Sequence, residues 1–184
     1  VLDLYEKLAA SGTAGDRLRI EHSSVLTAAD IERMGRLGLV ASVQPAFLGS
    51  EVDWIEDRVG NDRLRRTYAF ASLLEAGALV VGGSDTPVEA PDPWEAMALC
   101  RDRAGIVLEE AITPERALAM YTSSAARALG EPEPLAVGSP ADLVIIDRDP
   151  VLATPDELRA TEVIGAYVAG KKVDTAGTGR WWID

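Results

Sequence analysis

Cysteine and histidine are almost missing from this chain: one of each, Cys100 and His22, in 184 residues. A single cysteine excludes an internal disulfide framework and suits a reducing compartment, so a cytoplasmic protein is expected. A single histidine leaves no Ser–His–Asp ordering with a spare imidazole and no zinc knuckle, and no glycine-rich phosphate loop is present either. Basic residues are also short, 18 Lys and Arg against 30 Asp and Glu, a formal net charge of −12. That balance argues against nucleic acid and against an anionic membrane surface as partners. No apolar run reaches the ~20 residues of a membrane span, and nothing has the layout of a signal peptide. What is plentiful is ordinary core material: 47% apolar and 26% charged residues, the composition of a globular domain.

The chain enters directly in helical periodicity at Val1-Leu2-Asp3-Leu4-Tyr5, with neither Met nor a cap. That opening points to a C-terminal piece of a longer polypeptide. The next segments alternate between the two backbone periods. Asp16 to His22 reads as a strand with His22 at its C-terminal end. Thr27 to Asp30 caps a helix that Gly38 stops, and Leu39 to Gln44 is a second strand closed by Pro45. Phe47 to Asp62 reads as a long polar loop, Arg63 to Glu75 as one helix, and Ala78 to Gly83 as a third strand. Helices follow at Trp94 to Arg103, from Thr113-Pro114-Glu115, and at Ser123 to Leu129. Residues 1–130 thus repeat a strand–helix unit, the pattern of parallel α/β folds.

After Gly130 the texture changes. Leu143 to Asp147 is a strong strand, Pro155 to Arg159 one helical turn, and Val163–Val168 and Lys171–Val173 flank a two-residue Ala169-Gly170 hairpin turn. Residues 131–174 therefore form a small β subdomain, and the tail 175–184, with Trp181-Trp182, has no usable period.

Chemistry concentrates where apolar strands end in polar residues. Val80-Val81-Gly82-Gly83 runs into Ser84-Asp85-Thr86-Pro87, and the glycines leave the strand's mouth uncrowded for the Asp85 carboxylate. The C-terminal ends of parallel strands are the usual place for reactive groups. On pattern alone Asp85 serves equally as a helix N-cap or turn residue. With His22 at another strand end it makes a candidate metal pair, since neutral imidazole and carboxylate are common donors for zinc. A lone histidine is more often a surface or hydrogen-bonded residue. Two ligands fall short of the roughly three a catalytic zinc needs, so others would lie before Val1. Gln44 at a strand end and Trp54 in the polar stretch are candidate substrate contacts, and Gln44 could instead bond neighbouring backbone. Cys100 reads as inert core, and the Tyr121-Thr122-Ser123 hydroxyls as caps.

Taken in order, Arg19-Ile20-Glu21-His22, Ser42-Val43-Gln44-Pro45, Gly83 to Pro87, Ala119-Met120-Tyr121-Thr122 and Gly138-Ser139-Pro140-Ala141-Asp142 with Leu143 to Asp147 resemble the C-terminal part of the amidohydrolase superfamily. They are most similar to the branch containing N-substituted formamide deformylase-like proteins and exoenzyme regulatory proteins. The resemblance extends to about Val173. It implies an α/β chain carrying strands six to eight of a (β/α)₈ metal-dependent hydrolase barrel, plus part of a β-sandwich built from both ends of the polypeptide. His22 matches the family's sixth-strand metal ligand. Asp85 matches the eighth-strand aspartate that binds metal and carries a proton from water to the leaving amine. A divalent metal, zinc first, is implied, with a small-molecule substrate cleaved at a C–N bond. The missing N-terminal part of the polypeptide is an expected partner, and a homo-oligomer is expected because an incomplete barrel exposes sheet edges. The family's His-x-His pair, mid-barrel Lys or Glu and fifth-strand His are not in this chain, and its sandwich-entry Lys is Ser139-Pro140 here. The alternative on the same scaffold is a non-catalytic regulatory or binding protein.

Overall fold

The computed structural model describes residues 1–173; the tail expectation for 175–184 lies outside the described residues. Three short parallel strands form one sheet in the order β1 (Arg19–Glu21), β2 (Val40–Val43), β3 (Leu79–Gly82). The register pairs Ile20 with Ala41 and Ala41 with Val80. Leu39, Val40, Ala41 and Val43 are buried, as expected of a central strand covered on both faces. On β1, by contrast, Arg19 and Glu21 are exposed and pair with each other at 2.7 Å.

Helices link and cover the strands. The first, α1 (Leu2–Ala10), packs on α2 (Ala28–Leu37), where Arg33 binds Glu6 and Asp3 and Arg36 binds Glu6. The Thr27–Asp30 capping box that starts α2 is present with both bonds, and Gly38 ends the helix in the left-handed conformation. Between β2 and β3 the sequence expectation fails twice. The supposed loop 47–62 is mostly helical: α3 (Ala46–Glu51), α4 (Ile55–Val59) and α5 (Asn61–Leu64), held down by buried Leu48 and Ile55. The supposed single helix 63–75 is broken, and α6 (Phe70–Ala76) starts only after Tyr68, whose φ is +52°.

The break has a tertiary cause. The Tyr68 N–H donates to the Ser24 carbonyl at 2.8 Å, and Thr67 bridges to Val25. The Thr67 and Tyr68 carbonyls accept from the Arg103 guanidinium at 3.2 and 2.8 Å. The Ser72 N–H, left without a helical acceptor, donates to the Glu110 carboxylate at 2.9 Å. The Tyr68 and Ser72 N–H groups and the Thr67 and Tyr68 carbonyls, which a continuous helix would have used, are thus taken by distant residues.

Past β3 come α7 (Pro93–Asp102), α8 (Pro114–Met120) and α9 (Ser123–Leu129). Cys100 is fully buried in α7, as the apolar pattern around it requires. The second sheet is antiparallel: β4 (Leu143–Ile146), then α10 (Pro155–Arg159), then β5 (Val163–Val168) paired to both β4 and β6 (Lys171–Val173). Its hairpin turns through Ala169 and Gly170, φ +49° and +73°, the two positive values a type I′ turn needs. Leu158 of α10 packs into the same buried cluster as the α/β layers. Arg159 reaches across to Glu95 and Asp102 of α7 at 2.9 and 2.7 Å.

Candidate functional site

Parallel pairing places the C-terminal ends of β1, β2 and β3 side by side, and the candidate residues sit there. His22 follows β1 directly, Gln44 follows β2, and Asp85 follows β3 by a short loop. His22 and Ser23 leave the strand at φ +65° and +48°, and Asp85 lies at φ +58°. Positive φ at non-glycine residues is costly and recurs where a fold forces a side chain into a required direction. The outcome is that His22 Nε2 and Asp85 Oδ2 stand 3.9 Å apart, each side chain about half exposed.

The simpler roles for Asp85 are filled by its neighbours. The N-cap of α7 is Asp92, which accepts from the Trp94 and Glu95 N–H groups at 2.9 and 3.2 Å. The turn is closed by Ser84, whose Oγ accepts from the Thr86 N–H and lies 2.7 Å from the Thr86 hydroxyl. An Asx-turn from Asp85 would need a donor at Pro87, which has none. Among the described residues the Asp85 carboxylate accepts no hydrogen bond, and its ion-pair partner is His22.

Gln44 is buried (4% exposed); its Nε2 donates to the Ser42 carbonyl at 3.4 Å, and its buried Oε1 has no partner among the described residues. Trp54 is a different case. It stands 43% exposed before α4 with the Arg58 guanidinium over its ring at 5.5 Å, so its stacking partner is Arg58 rather than the His22–Asp85 pair. The residue beside the imidazole is Phe47, ring centroids 6.3 Å apart.

The expectation that nothing crowds the end of β3 needs correction. The Tyr121 ring lies against Gly82, so close that a Cβ there would fall 2.3 Å from its Cζ; Gly83 has open space. The Tyr121 hydroxyl is buried with no partner among the described residues, so it caps nothing there, and burial pushes its pKa well up. Thr122 donates back to the Leu118 carbonyl at 2.8 Å. Gly83, Ser84, Pro91, Pro93, Ala96 and Tyr121 line a cavity of about 250 Å³ beside this strand end.

Sequence reasoning passed over the supporting residues. Tyr68 is buried and donates to Glu51 at 2.6 Å; burial first, then that carboxylate, holds its phenol protonated. Arg103 is fully buried, and desolvation pulls it down to about 10, still charged at neutral pH. Nothing in the local sequence distinguishes it from an exposed arginine at a helix end.

As a metal donor set, His22 and Asp85 fit in kind, an imidazole nitrogen facing a carboxylate oxygen. Donors about 2.0–2.2 Å from a tetrahedral ion stand roughly 3.3–3.5 Å apart, so the 3.9 Å pair would close by about half an ångström to share one. They are only two, and among the described residues no three His, Cys, Asp or Glu side chains converge.

Comparison with known proteins shows the family and the fold. The sequence pattern of the amidohydrolase family matches residues 1–174. N-substituted formamide deformylase of Arthrobacter pascens is 37% identical over 92% of this chain and 33% of its own length. The chain spans about a third of the length of the curated relatives it matches. Among solved structures, a metal-dependent hydrolase from Pyrococcus horikoshii superposes with TM-score 0.72 at 33% identity, over 84% of this chain and 32% of that one. A zinc-bound adenosine deaminase from Xanthomonas campestris shares the fold at TM-score 0.63 and 23% identity, over 96% of this chain and 44% of that one.

Proposed function

The chain belongs to the amidohydrolase family, and from that premise we propose that it supplies part of the active site of a metal-dependent hydrolase cleaving a C–N bond of amide or formamide type. The observation that carries the reading is the convergence of His22 Nε2 and Asp85 Oδ2 at the C-terminal ends of parallel strands, with turn and cap duties discharged by Ser84 and Asp92. In this reading β1, β2 and β3 are the sixth, seventh and eighth strands of a (β/α)₈ barrel, and β4 to β6 belong to a composite sandwich. The preceding part of the polypeptide pairs with the open sheet edges and brings the remaining ligands; association of copies is the other way to cover those edges.

His22 and Asp85 are the residues that would hold the ion, zinc being the expected one. When bound, such an ion acidifies water from a pKa of ~15.7 toward ~7 and polarises a carbonyl. Asp85 is acceptor-only when ionised, so its Oδ2 takes a proton from the attacking water and returns it to the departing nitrogen. Its half-exposed position lets it reach both. Neutral His22 offers Nε2 as a donor to the ion. Gln44 would offer its Oε1 to a substrate N–H from the middle strand only by turning that buried atom outward. Trp54, with Arg58 over one face of its ring, is a second candidate contact.

The test is turnover of N-substituted formamides by a polypeptide of its relatives' length. Asp85→Asn is expected to lower kcat by about 10²–10⁴-fold, and His22→Ala to lower zinc content. A rate unchanged in Asp85→Asn would overturn the assignment. The 184-residue chain alone is expected to hydrolyse nothing; stoichiometric tight zinc with turnover would refute the need for outside ligands.

A further inference from the structure

Arg103 is the largest fully buried side chain of the described residues. It follows α7 in the left-handed conformation, φ +56°, and its guanidinium is spent on three backbone carbonyls: Ile106 at 3.1 Å, Tyr68 at 2.8 Å and Thr67 at 3.2 Å. The Phe70 ring lies beneath it at 5.3 Å. A charge taken wholly out of water is unfavourable unless hydrogen bonds replace its hydration, and an apolar side chain of similar volume is commonly tolerated at such a site. What the charge does here is hold two consecutive carbonyls outside any helix.

Those carbonyls belong to one side of a short antiparallel ladder. Thr67 bridges to Val25, the Tyr68 N–H donates to the Ser24 carbonyl at 2.8 Å, and the Leu26 N–H donates to the Arg66 carbonyl at 3.3 Å. The other side of the ladder, Ser24 to Leu26, continues directly from His22 and Ser23, both at positive φ. Such a conformation persists only where both flanks are held. Upstream the flank is β1; downstream it is this ladder.

We infer that Arg103 is a positioning residue for His22, fixing the direction of the imidazole through the Thr67–Tyr68 ladder without touching it. The functional meaning rests on His22 as a metal ligand; the placement itself does not. With one histidine in the chain, the ring C–H signals in a carbon–proton NMR spectrum report His22 alone. Arg103→Lys keeps the charge but cannot span two carbonyls in a planar fork. In metal-free chain that keeps its far-ultraviolet circular dichroism, Arg103→Lys and Arg103→Met are expected to displace or double the His22 signal. Met120→Ala, a core truncation in α8, is expected to lower the melting temperature and leave the signal in place. A folded Arg103→Lys with the parent signal overturns the inference, and so does an equal displacement in Met120→Ala. Should neither Arg103 variant fold, amide exchange in the unsubstituted chain decides. Tyr68 and Leu26 N–H groups slowed a hundredfold or more against free amides support the ladder, and exchange at the free rate refutes it. The metal reading has its own test, the zinc content of His22→Ala in a polypeptide of the relatives' length, and its failure there would leave the Arg103 result standing.

Discussion

Gly82→Ala is the sharpest test of how β3 is held. A Cβ at Gly82 would lie 2.3 Å from Tyr121 Cζ and 2.6 Å from both Cε2 and the hydroxyl oxygen. Favourable carbon contacts fall near 3.5–4.0 Å, so the ring must retreat by about 1 Å within a packed layer. Overpacking of that kind costs about 1–3 kcal/mol. Gly82 is not among the positive-φ glycines, so alanine is free to adopt its backbone and returns about 0.4–1 kcal/mol by restricting the unfolded chain. The net expectation is a loss of about 1–2 kcal/mol, a fall in Tm of roughly 2–8 °C for a chain of this size. Urea unfolding of Gly82→Ala, Tyr121→Leu and the double variant reads it directly. Leucine at 121 removes the obstructing ring atoms, so the double variant should recover about 1 kcal/mol relative to additivity. Gly82→Ala within about 0.3 kcal/mol of the parent, or strict additivity in the double variant, would show that Tyr121 does not constrain the strand.

Two further outcomes probe other parts of the fold. Gly35→Ala should be the more severe glycine change, about 3 kcal/mol: its Cβ would meet the Ala76 carbonyl oxygen at 2.0 Å, a backbone atom that cannot rotate away, forcing α2 from α6. An exposed mid-helix site would instead gain about 1 kcal/mol from the same substitution, so the sign of the measured change in denaturant midpoint decides. Asp147 is held down to about 2, first by its bonds from Arg148 and then by the Glu162 N–H at 2.9 Å. A depressed carboxylate contributes stability above its ordinary value of 3.8 and loses it as pH falls from there through about 2. Melting temperatures of parent and Asp147→Asn should therefore differ near neutrality and converge in strong acid; a gap that persists below pH about 2 would refute the linkage.

How much was legible in advance varied with the range of the forces involved. The Thr27–Asp30 capping box, the Gly38 helix end and the Ala169-Gly170 turn all appear where local chemistry puts them. In each, the bonding partners lie within a few residues, so the sequence states the whole interaction. Segment 47–75 went wrong because its outcome depends on Val25, Arg103 and Glu110. An amphipathic run predicts a helix, and distant groups that take its carbonyls and N–H groups dissolve the middle of it.

The candidate site divides along the same line. Sequence alone determined that His22, Gln44 and Asp85 each close a strand, because strand periodicity and the punctuation after it are properties of short windows. Only the tertiary structure decided that parallel pairing brings His22 and Asp85 to 3.9 Å, that Gln44 keeps an unpaired oxygen, and that Trp54 turns to Arg58. It also decided that Gly82 exists for a tyrosine ring and that a buried arginine fixes the loop behind the histidine. Those are contacts between residues remote in the chain, and no local pattern encodes which carbonyl a distant guanidinium will find.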